Sequence, residues 1–202
     1  RFNLTSITEY NQVIVKHFLD SLSIAPILQP LAPTIRLIDI GTGAGLPGIP
    51  LKIALPDLHL TLLETTGKKV EFLKHVIAQL RLRDTIAIQA RAEDLGHKPD
   101  HREQYDVAVA RAVANLATLL EYALPFVRQG GLFIAQKGVD VGDELKQATR
   151  ALQELGGRVC EIAPVQLPGL EQRHLVIIDK VSATPDKYPR RAGIPERKPL
   201  TN

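Results

Sequence analysis

Glycine spacing is the feature of this sequence that most directly suggests chemistry. Four glycines lie within eight residues, directly after a short apolar run: Gly41, Gly43, Gly45 and Gly48. Glycine lets the backbone turn tightly and lets a bound molecule contact the main chain. A strand, a glycine-rich loop and an apolar helical stretch, here over 49–55, form the unit with which many α/β domains hold an adenosine-containing cofactor.

The acid that precedes the loop bears on which cofactor the loop would hold. The order Asp-x-Gly-x-Gly-x-Gly over 39–45 is found where S-adenosylmethionine binds, but Gly-x-Gly-x-x-Gly over 43–48 also satisfies the dinucleotide fingerprint. Asp39 and Thr42 would place a negative charge and a hydroxyl where a pyrophosphate would lie. We therefore predict S-adenosylmethionine as the cofactor, and a dinucleotide-dependent oxidoreductase remains the alternative. The loop positions expected to bind it are Asp39, Gly41 and Gly43.

Length, composition and charge limit the class of protein. The chain has 202 residues, 45% of them hydrophobic, which suits one globular domain. No stretch is apolar over the roughly 18 residues of a membrane helix, and the start lacks a signal-peptide pattern, so we expect no membrane contact. The one cysteine, Cys160, cannot form an internal disulfide, which fits a reducing, cytoplasmic compartment. A net charge of +3 permits a nucleic acid as partner without requiring one.

The region before the glycine loop is predicted to be helical. A capping box formed by Ser6 and Glu9 opens a helix. Its apolar stripe is expected to pack on a sheet and consists of Tyr10, Ile14, Phe18 and Leu22. A connector without regular structure, marked by Pro26, Pro30 and Pro33, is expected to follow.

Strand-like and helix-like runs alternate through the rest of the chain. Strands are expected at 35–40, 58–63, 85–89, 105–110, 132–136, 158–162 and 174–179, and helices at 48–55, 68–80, 116–126 and 142–155. This alternation predicts an α/β fold with a seven-stranded, mostly parallel sheet. Only a loop separates the last two strands, which predicts a hairpin and an antiparallel last strand, the pattern of Rossmann-like class I S-adenosylmethionine-dependent methyltransferases.

Three regions are expected from this organisation. An N-terminal helical segment covers 1–34, a methyltransferase domain covers 35–181, and a basic C-terminal tail covers 182–202. The part from 185 onward is predicted to be irregular. A dehydrogenase would more often continue with a substrate domain, for which no residues remain.

Charged residues end several of the predicted strands, where ligands of open α/β sheets bind. Glu64 lies 19 residues after Gly45 (64 − 45), near the offset at which an acid takes ribose hydroxyls. Glu93 or Asp94 follows the third strand, where a side chain and a backbone amide could hold adenine. Arg111 and Lys137 end the two central strands that face the substrate side, so we predict both as catalytic. A solvated charge is the alternative for each of these residues.

The methyl acceptor is constrained by two motifs that the sequence lacks. No Asn/Asp-Pro-Pro-aromatic motif is present to grip an amino group, and no Pro-Cys pair is present to attack a pyrimidine carbon. An acceptor that already has a free lone pair, such as guanine N7, would need neither. It also needs no general base because no proton leaves, so alignment of N7 with the sulfonium methyl group would carry the catalysis.

The end of the chain concentrates positive charge around an aromatic ring. Residues 187–198 hold one acid and five basic residues, namely Lys187, Arg190, Arg191, Arg197 and Lys198. Basic segments with an aromatic residue suit the phosphates and a stacked base of RNA. We predict that Lys187, Arg190 and Arg191 bind RNA, and a disordered solubilising tail is the alternative.

Fragments spread from Asn3 to Leu200 resemble one protein family. They are Asn3-Leu4-Thr5, residues 16–21 and 39–50, Ala92-Glu93, residues 111–113, Lys137-Gly138, Arg173-His174 and residues 188–191. Together they resemble the small-subunit ribosomal RNA guanine-N7 methyltransferases of bacteria, also called glucose-inhibited division protein B. One departure is that this sequence has Glu64 with Thr65-Thr66 in place of the more usual Asp-Ser.

The resemblance implies a cofactor site and a substrate. In that family S-adenosylmethionine is held by positions that match Gly41, Leu46, Glu64, Ala92, Glu93 and Arg111. The implied substrate is one guanine in the decoding-region loop of 16S rRNA, presented as naked RNA or as a small ribosomal subunit particle. We further expect a monomer without a metal. A small-molecule methyltransferase is a second alternative, although it would normally carry a lid or helical insert that this sequence lacks.

Overall fold

Seven strands form one sheet in the computed structural model, which describes residues 9–31, 34–111, 114–139 and 141–202. Their bounds are β1 Arg36–Ile40, β2 His59–Glu64, β3 Thr85–Gln89, β4 Tyr105–Arg111, β5 Val127–Lys137, β6 Gly157–Val165 and β7 Arg173–Lys180. The order across the sheet is β3-β2-β1-β4-β5-β7-β6. β7 runs antiparallel to β5 and β6, and the other neighbours are parallel. This confirms the predicted sheet, including its antiparallel last strand.

Helices cover both faces of the sheet. They are α1 Tyr10–Val13, a π-helix Ile14–Leu19, α2 Asp20–Leu22, α3 Ala25–Leu28, α4 Gly48–Ala54, α5 Gly67–Gln79, α6 Ala92–Leu95, α7 Leu116–Ala123, α8 Val141–Gln147, α9 Thr149–Leu155 and α10 Ile194–Arg197. Apolar residues of α3, α4 and α5 fill the core on one face, and those of α7, α8 and α9 fill the core on the other. Strands buried on both faces read as continuous apolar runs rather than alternating ones.

The sheet register brings the predicted functional positions to one edge. Ile40 at the end of β1 pairs with Leu63 of β2 and with Ala110 of β4. Glu64 pairs with Gln89 at the end of β3, and Arg111 pairs with Gln136 of β5. The carboxyl ends of five parallel strands therefore meet along one line, as a ligand-binding edge requires.

The N-terminal segment departs from the predicted amphipathic helix. Tyr10 is 75% exposed and Phe18 is 46% exposed, so the expected apolar stripe does not pack on the sheet. The π-helix Ile14–Leu19 interrupts the 3.6-residue period of the expected stripe, because its wider turn changes the phase of the residues that follow. Asp20 and Ser21 are buried instead. Ser6 of the predicted capping box lies outside the described residues, while Glu9 caps α1 by accepting from two backbone amides.

Two other predicted regions differ from the structure. The expected connector contains α3, in which Pro26 lies at the second helical position, where a missing backbone N–H costs nothing; Pro33 lies outside the described residues. The single helix expected over 142–155 is two helices, α8 and α9, separated at Ala148. β5 begins at Val127, five residues before the predicted start, because it pairs with Tyr105 of β4 across a register shift.

The C-terminal residues have little regular structure but pack against the domain. They include α10, and the side chains of Tyr188 and Leu200 are 4% exposed because both pack into the core beside α7 and α9. The prediction of irregular structure over 185–202 is therefore confirmed except for α10, but the segment packs against the domain. Its sequence has no apolar periodicity because isolated apolar residues, separated by prolines and charged residues, anchor it to the core.

Candidate cofactor and substrate site

The loop between β1 and α4 has the backbone of a ligand cradle. Gly41, Gly43 and Gly45 have φ values of 66°, 60° and 90°, a region that other residues rarely occupy. A Cβ atom built on Gly43 would meet no atom within 4 Å, so this part of the loop faces open space. A Cβ on Gly45 would clash with the side chain of Ile49, whose Cγ1 atom would be 2.8 Å away. Gly45 thus serves packing, whereas Gly43 leaves room for a ligand.

Asp39 holds the two ends of this loop together. Its Oδ2 atom accepts a hydrogen bond from the Thr42 hydroxyl at 2.6 Å and from the Gly48 amide at 2.8 Å. The residue is completely buried, and burial raises its pKa to about 6, although the bonds from Thr42 and Gly48 oppose the rise. The structure therefore places the predicted cofactor acid behind the loop, where it positions the backbone.

Glu64 joins the end of β2 to the same loop. Its Oε2 atom accepts from the Gly43 amide at 3.1 Å, and its Oε1 atom accepts from the Thr66 amide at 2.9 Å. Burial opposes ionisation, but the bonds from Thr66, the charge of Lys69 and the bond from Gly43 together lower the pKa of Glu64. An ionised carboxylate beside Gly43 is an acceptor placed where ribose hydroxyls could donate to it.

A cleft of about 240 Å³ opens at the carboxyl ends of β1, β2 and β3. Three of the predicted cofactor residues line it: Gly41, Ala92 and Glu93. Leu63 and Thr65, on either side of Glu64, also line it, so Glu64 lies at its border. Leu46 is in the neighbouring turn, where its amide donates to Thr42, and is not among the lining residues. Apolar walls, a glycine cradle and a carboxylate are the groups that S-adenosylmethionine requires.

Arg111 and Lys137 are both paired with carboxylates. The Arg111 guanidinium donates to Asp20 Oδ2 at 3.1 Å and to the Lys16 carbonyl at 3.2 Å. The Lys137 ammonium lies 2.7 Å from Glu144 and donates to the carbonyl of Ala114. Both cations stand at adjacent strand ends as predicted, but their charges are balanced. The sequence did not predict either carboxylate as a partner of these cations. The residues around each acid carry no signal that it contacts a distant strand.

The three predicted RNA-binding cations have different surroundings. Arg190 donates to both carboxylate oxygens of buried Glu121, at distances from 2.6 to 3.1 Å. This geometry favours a structural role for Arg190 and leaves its guanidinium little capacity for phosphate. Arg191 is exposed, and Lys187 is 68% exposed with Glu154 at 3.6 Å. These two side chains can reach a large ligand.

Sequence reasoning also missed one wall of the cleft. Tyr122 of α7 and two C-terminal residues, Gly193 and Glu196, line it. Gly193 donates its amide proton to Glu93 Oε1 at 2.9 Å across 100 positions of sequence. No periodicity or motif in a single sequence encodes so distant a contact.

Comparison with known proteins identifies the family. Residues 1–176 match the family model GidB, described as rRNA small subunit methyltransferase G. The chain belongs to this family. Relatives called Ribosomal RNA small subunit methyltransferase G, from Roseiflexus castenholzii and Alkaliphilus metalliredigens, are 54% and 51% identical to it over 200 and 201 residues. These matches cover 99% of this chain and 85% and 84% of the relatives.

Solved structures support the fold. Geranyl diphosphate C-methyltransferase from Streptomyces coelicolor A3(2), in complex with Mg²⁺, geranyl diphosphate and S-adenosyl-L-homocysteine, is similar with a TM-score of 0.62 and 13% identity. The match covers 81% of this chain and 79% of that one. Membership of the GidB family confirms the predicted methyltransferase class and its cofactor, S-adenosylmethionine.

Neither a metal centre nor a membrane-spanning helix is found within residues 9–31, 34–111, 114–139 and 141–202. There, no group of three or more His, Cys, Asp or Glu side chains is arranged to hold a metal ion. None of the helices described has the length and apolar character needed to cross a membrane.

Proposed function

We propose that this chain transfers the methyl group of S-adenosylmethionine to N7 of a guanine in 16S ribosomal RNA. The observation that carries the proposal is the cleft at the carboxyl ends of β1 to β3, bordered by the Gly43–Glu64 contact, in a chain of the GidB family. The names of its relatives, which match over 99% of this chain, support ribosomal RNA as the substrate class.

The residues at the cleft would each have a defined role in holding the cofactor. Gly41 and Gly43 would allow close approach of the ligand, Glu64 would accept hydrogen bonds from the ribose, and Ala92 and Glu93 would contact the adenine. When bound, S-adenosylmethionine supplies an electrophilic methyl group whose bond to sulfur breaks as the acceptor nitrogen attacks.

The environment of the charged residues suits an acceptor such as guanine N7. No proton leaves N7 on methylation, so the chain needs no general base there. Asp39 and Glu64 are buried and already accept backbone hydrogen bonds. Arg111 and Lys137 are held by acids. We therefore assign catalysis to alignment of the base with the methyl group, for which Arg111 and Lys137 fix the surrounding segments.

RNA would be held by exposed basic side chains of the C-terminal region. Lys187 and Arg191 meet this requirement, whereas Arg190 is engaged by Glu121. Contacts to phosphate position an RNA without specifying its sequence, so the guanine would be selected by contacts to the base itself. We propose that the protein acts as a monomer in the cytoplasm on one guanine of the decoding-region loop.

Methyl transfer to isolated ribosomal RNAs tests the proposed substrate. Purified protein would be incubated with labelled S-adenosylmethionine and with 16S RNA, 23S RNA or small subunits, all from cells that lack the activity. We expect label in 16S RNA, as free RNA or within the particle, and none in 23S RNA. Label in 23S RNA alone, or in none of the substrates, would refute the proposed substrate.

A further inference from the structure

The C-terminal segment, residues 182–202, is fixed to the domain by buried contacts. The backbone amide and guanidinium of Arg190 donate to Glu121, a fully buried residue of α7. The Thr118 hydroxyl donates to the Pro195 carbonyl at 3.1 Å, and Leu200 is buried in the core beside α9. A segment held at both ends in this way keeps residues 191–197 in a defined place.

Residues 191–197 are held beside the cleft. Gly193 and Glu196 line it together with Ala92 and Glu93, which follow β3. The amide of Gly193 donates to Glu93 Oε1 at 2.9 Å, and Glu93 is 6% exposed. The C-terminal segment therefore supplies one wall of the cleft, at the end next to β3.

Two carboxylates, those of Glu93 and Glu196, line this end of the cleft, together with the guanidinium of Arg91. Burial and then the charges of Glu93 and Glu196 raise the pKa of Tyr122, which also lines the cleft, to about 12. Both carboxylates and the phenol line the same cleft. Adenine presents its 6-amino group as a donor, and an ionised carboxylate is the strongest acceptor that a side chain offers to it.

We propose that the C-terminal segment forms the outer wall of the adenine pocket and that the carboxylate of Glu196 recognises the 6-amino group of adenine. The proposal rests on the proposed function, since it takes S-adenosylmethionine to occupy this cleft with its adenine next to β3. Glu93 positions the wall by accepting the Gly193 amide. The wall is therefore in place before the cofactor binds.

Binding of two ligands that differ by a single group tests the proposal. One is S-adenosylhomocysteine, and the other is its 6-deamino analogue, in which hydrogen replaces the amino group. Calorimetry would compare the wild-type chain with Glu196→Ala. We expect Glu196→Ala to reduce the affinity for S-adenosylhomocysteine about tenfold. This is near the lower limit for a charged hydrogen bond, because Glu196 is exposed at the rim. The affinity for the analogue should fall by less than about twofold.

Glu161→Ala is the matched control, since it removes an exposed glutamate on β6 away from the cleft. It should leave both affinities unchanged. Equal reductions for the two ligands, or no reduction for either in Glu196→Ala, would overturn the assignment of Glu196. If that happens while the wild-type chain binds S-adenosylhomocysteine and methylates 16S RNA, the proposed function stands and this inference alone fails. If the wild-type chain binds neither ligand, both fail.

Discussion

At the scale of single residues, Glu64 combines two tasks in one carboxylate. It accepts the Gly43 amide and so fixes the glycine loop, and it borders the cleft as an ionised acceptor. Its position after β2 was predictable from the offset to the glycine loop. Its bond to Gly43 was not, because a spacing rule places a residue near a ligand without stating which backbone groups it holds.

Replacing Glu64 should weaken the binding of the cofactor more than the binding of RNA. Glu64→Ala removes a charged acceptor at the ribose position and leaves the Gly43 amide unpaired, so we expect a loss of about 1.5–3 kcal/mol in S-adenosylhomocysteine binding. Calorimetry would measure it, with exposed Glu71→Ala on α5 as control. RNA affinity should be unchanged. A variant that loses RNA binding and keeps cofactor binding would place Glu64 on the substrate side.

Substitution of Gly43 can distinguish the cost of backbone strain from steric exclusion of the ligand. Gly43 and Gly169 have φ values of 60° and 69°, and a Cβ on either would meet no atom within 4 Å. Alanine at each should therefore cost a similar 1–2 kcal/mol of stability, roughly the penalty for a left-handed backbone. Only Gly43→Ala should also weaken cofactor binding, by about tenfold or more, since its Cβ would occupy ligand space. Equal cofactor affinity in the two variants would contradict a cradle at Gly43.

At the scale of secondary structure, the strands were predictable and the N-terminal segment was not. Continuous apolar runs identified the central strands because both of their faces are buried. The π-helix Ile14–Leu19 defeats a 3.6-residue period, so the sequence pattern selected Tyr10 and Phe18 for the core in place of Asp20. Polar groups of this segment contact the sheet: the Asp20 carboxylate accepts from Arg111, and the Asp20 carbonyl accepts from Gln136.

Removing Asp20 should release this segment from the sheet. Asp20→Ala leaves Arg111, whose side chain is 13% exposed, without its carboxylate, and breaking such a buried pair typically costs about 3–5 kcal/mol. Urea unfolding would measure the change. The control is Asp143→Ala, which breaks a solvent-exposed pair with Lys146 and should cost about 0.5 kcal/mol or less. If both variants lose equally little stability, Arg111 does not depend on Asp20.

At the scale of the whole molecule, the ordered C-terminal segment changes how its charges are understood. Composition alone marked 182–202 as a basic tail, because a sequence shows charge without showing its partners. In the fold, Arg190 pairs with Glu121, while Arg191 and Lys187 remain exposed beside it. The domain core, the cleft and this segment are joined by contacts between residues 69 to 100 positions apart.

We therefore expect the basic residues of this segment to have two different roles, one in the stability of the fold and one in RNA binding. Arg190→Ala leaves a buried carboxylate unpaired, so we expect it to destabilise the fold by about 3 kcal/mol. Arg191→Ala with Lys187→Ala should leave the stability nearly unchanged. This double variant should reduce the slope of log K against log salt for RNA binding by roughly 0.7 for each phosphate that the protein no longer neutralises. Unfolding and filter-binding measurements would decide; an unchanged slope would exclude these two residues from the RNA surface.

The most direct test of the whole account is to identify the atom that receives the methyl group. Small-subunit RNA from cells lacking the protein would be treated with the purified wild-type chain, and the modified nucleotide would be located by N7-specific reduction and strand cleavage. We predict a single cleavage at one guanine of 16S RNA, reduced with Gly43→Ala at limiting S-adenosylmethionine and unchanged with Gly169→Ala. Methyl label on an exocyclic amine, a base carbon or a ribose hydroxyl would contradict the account.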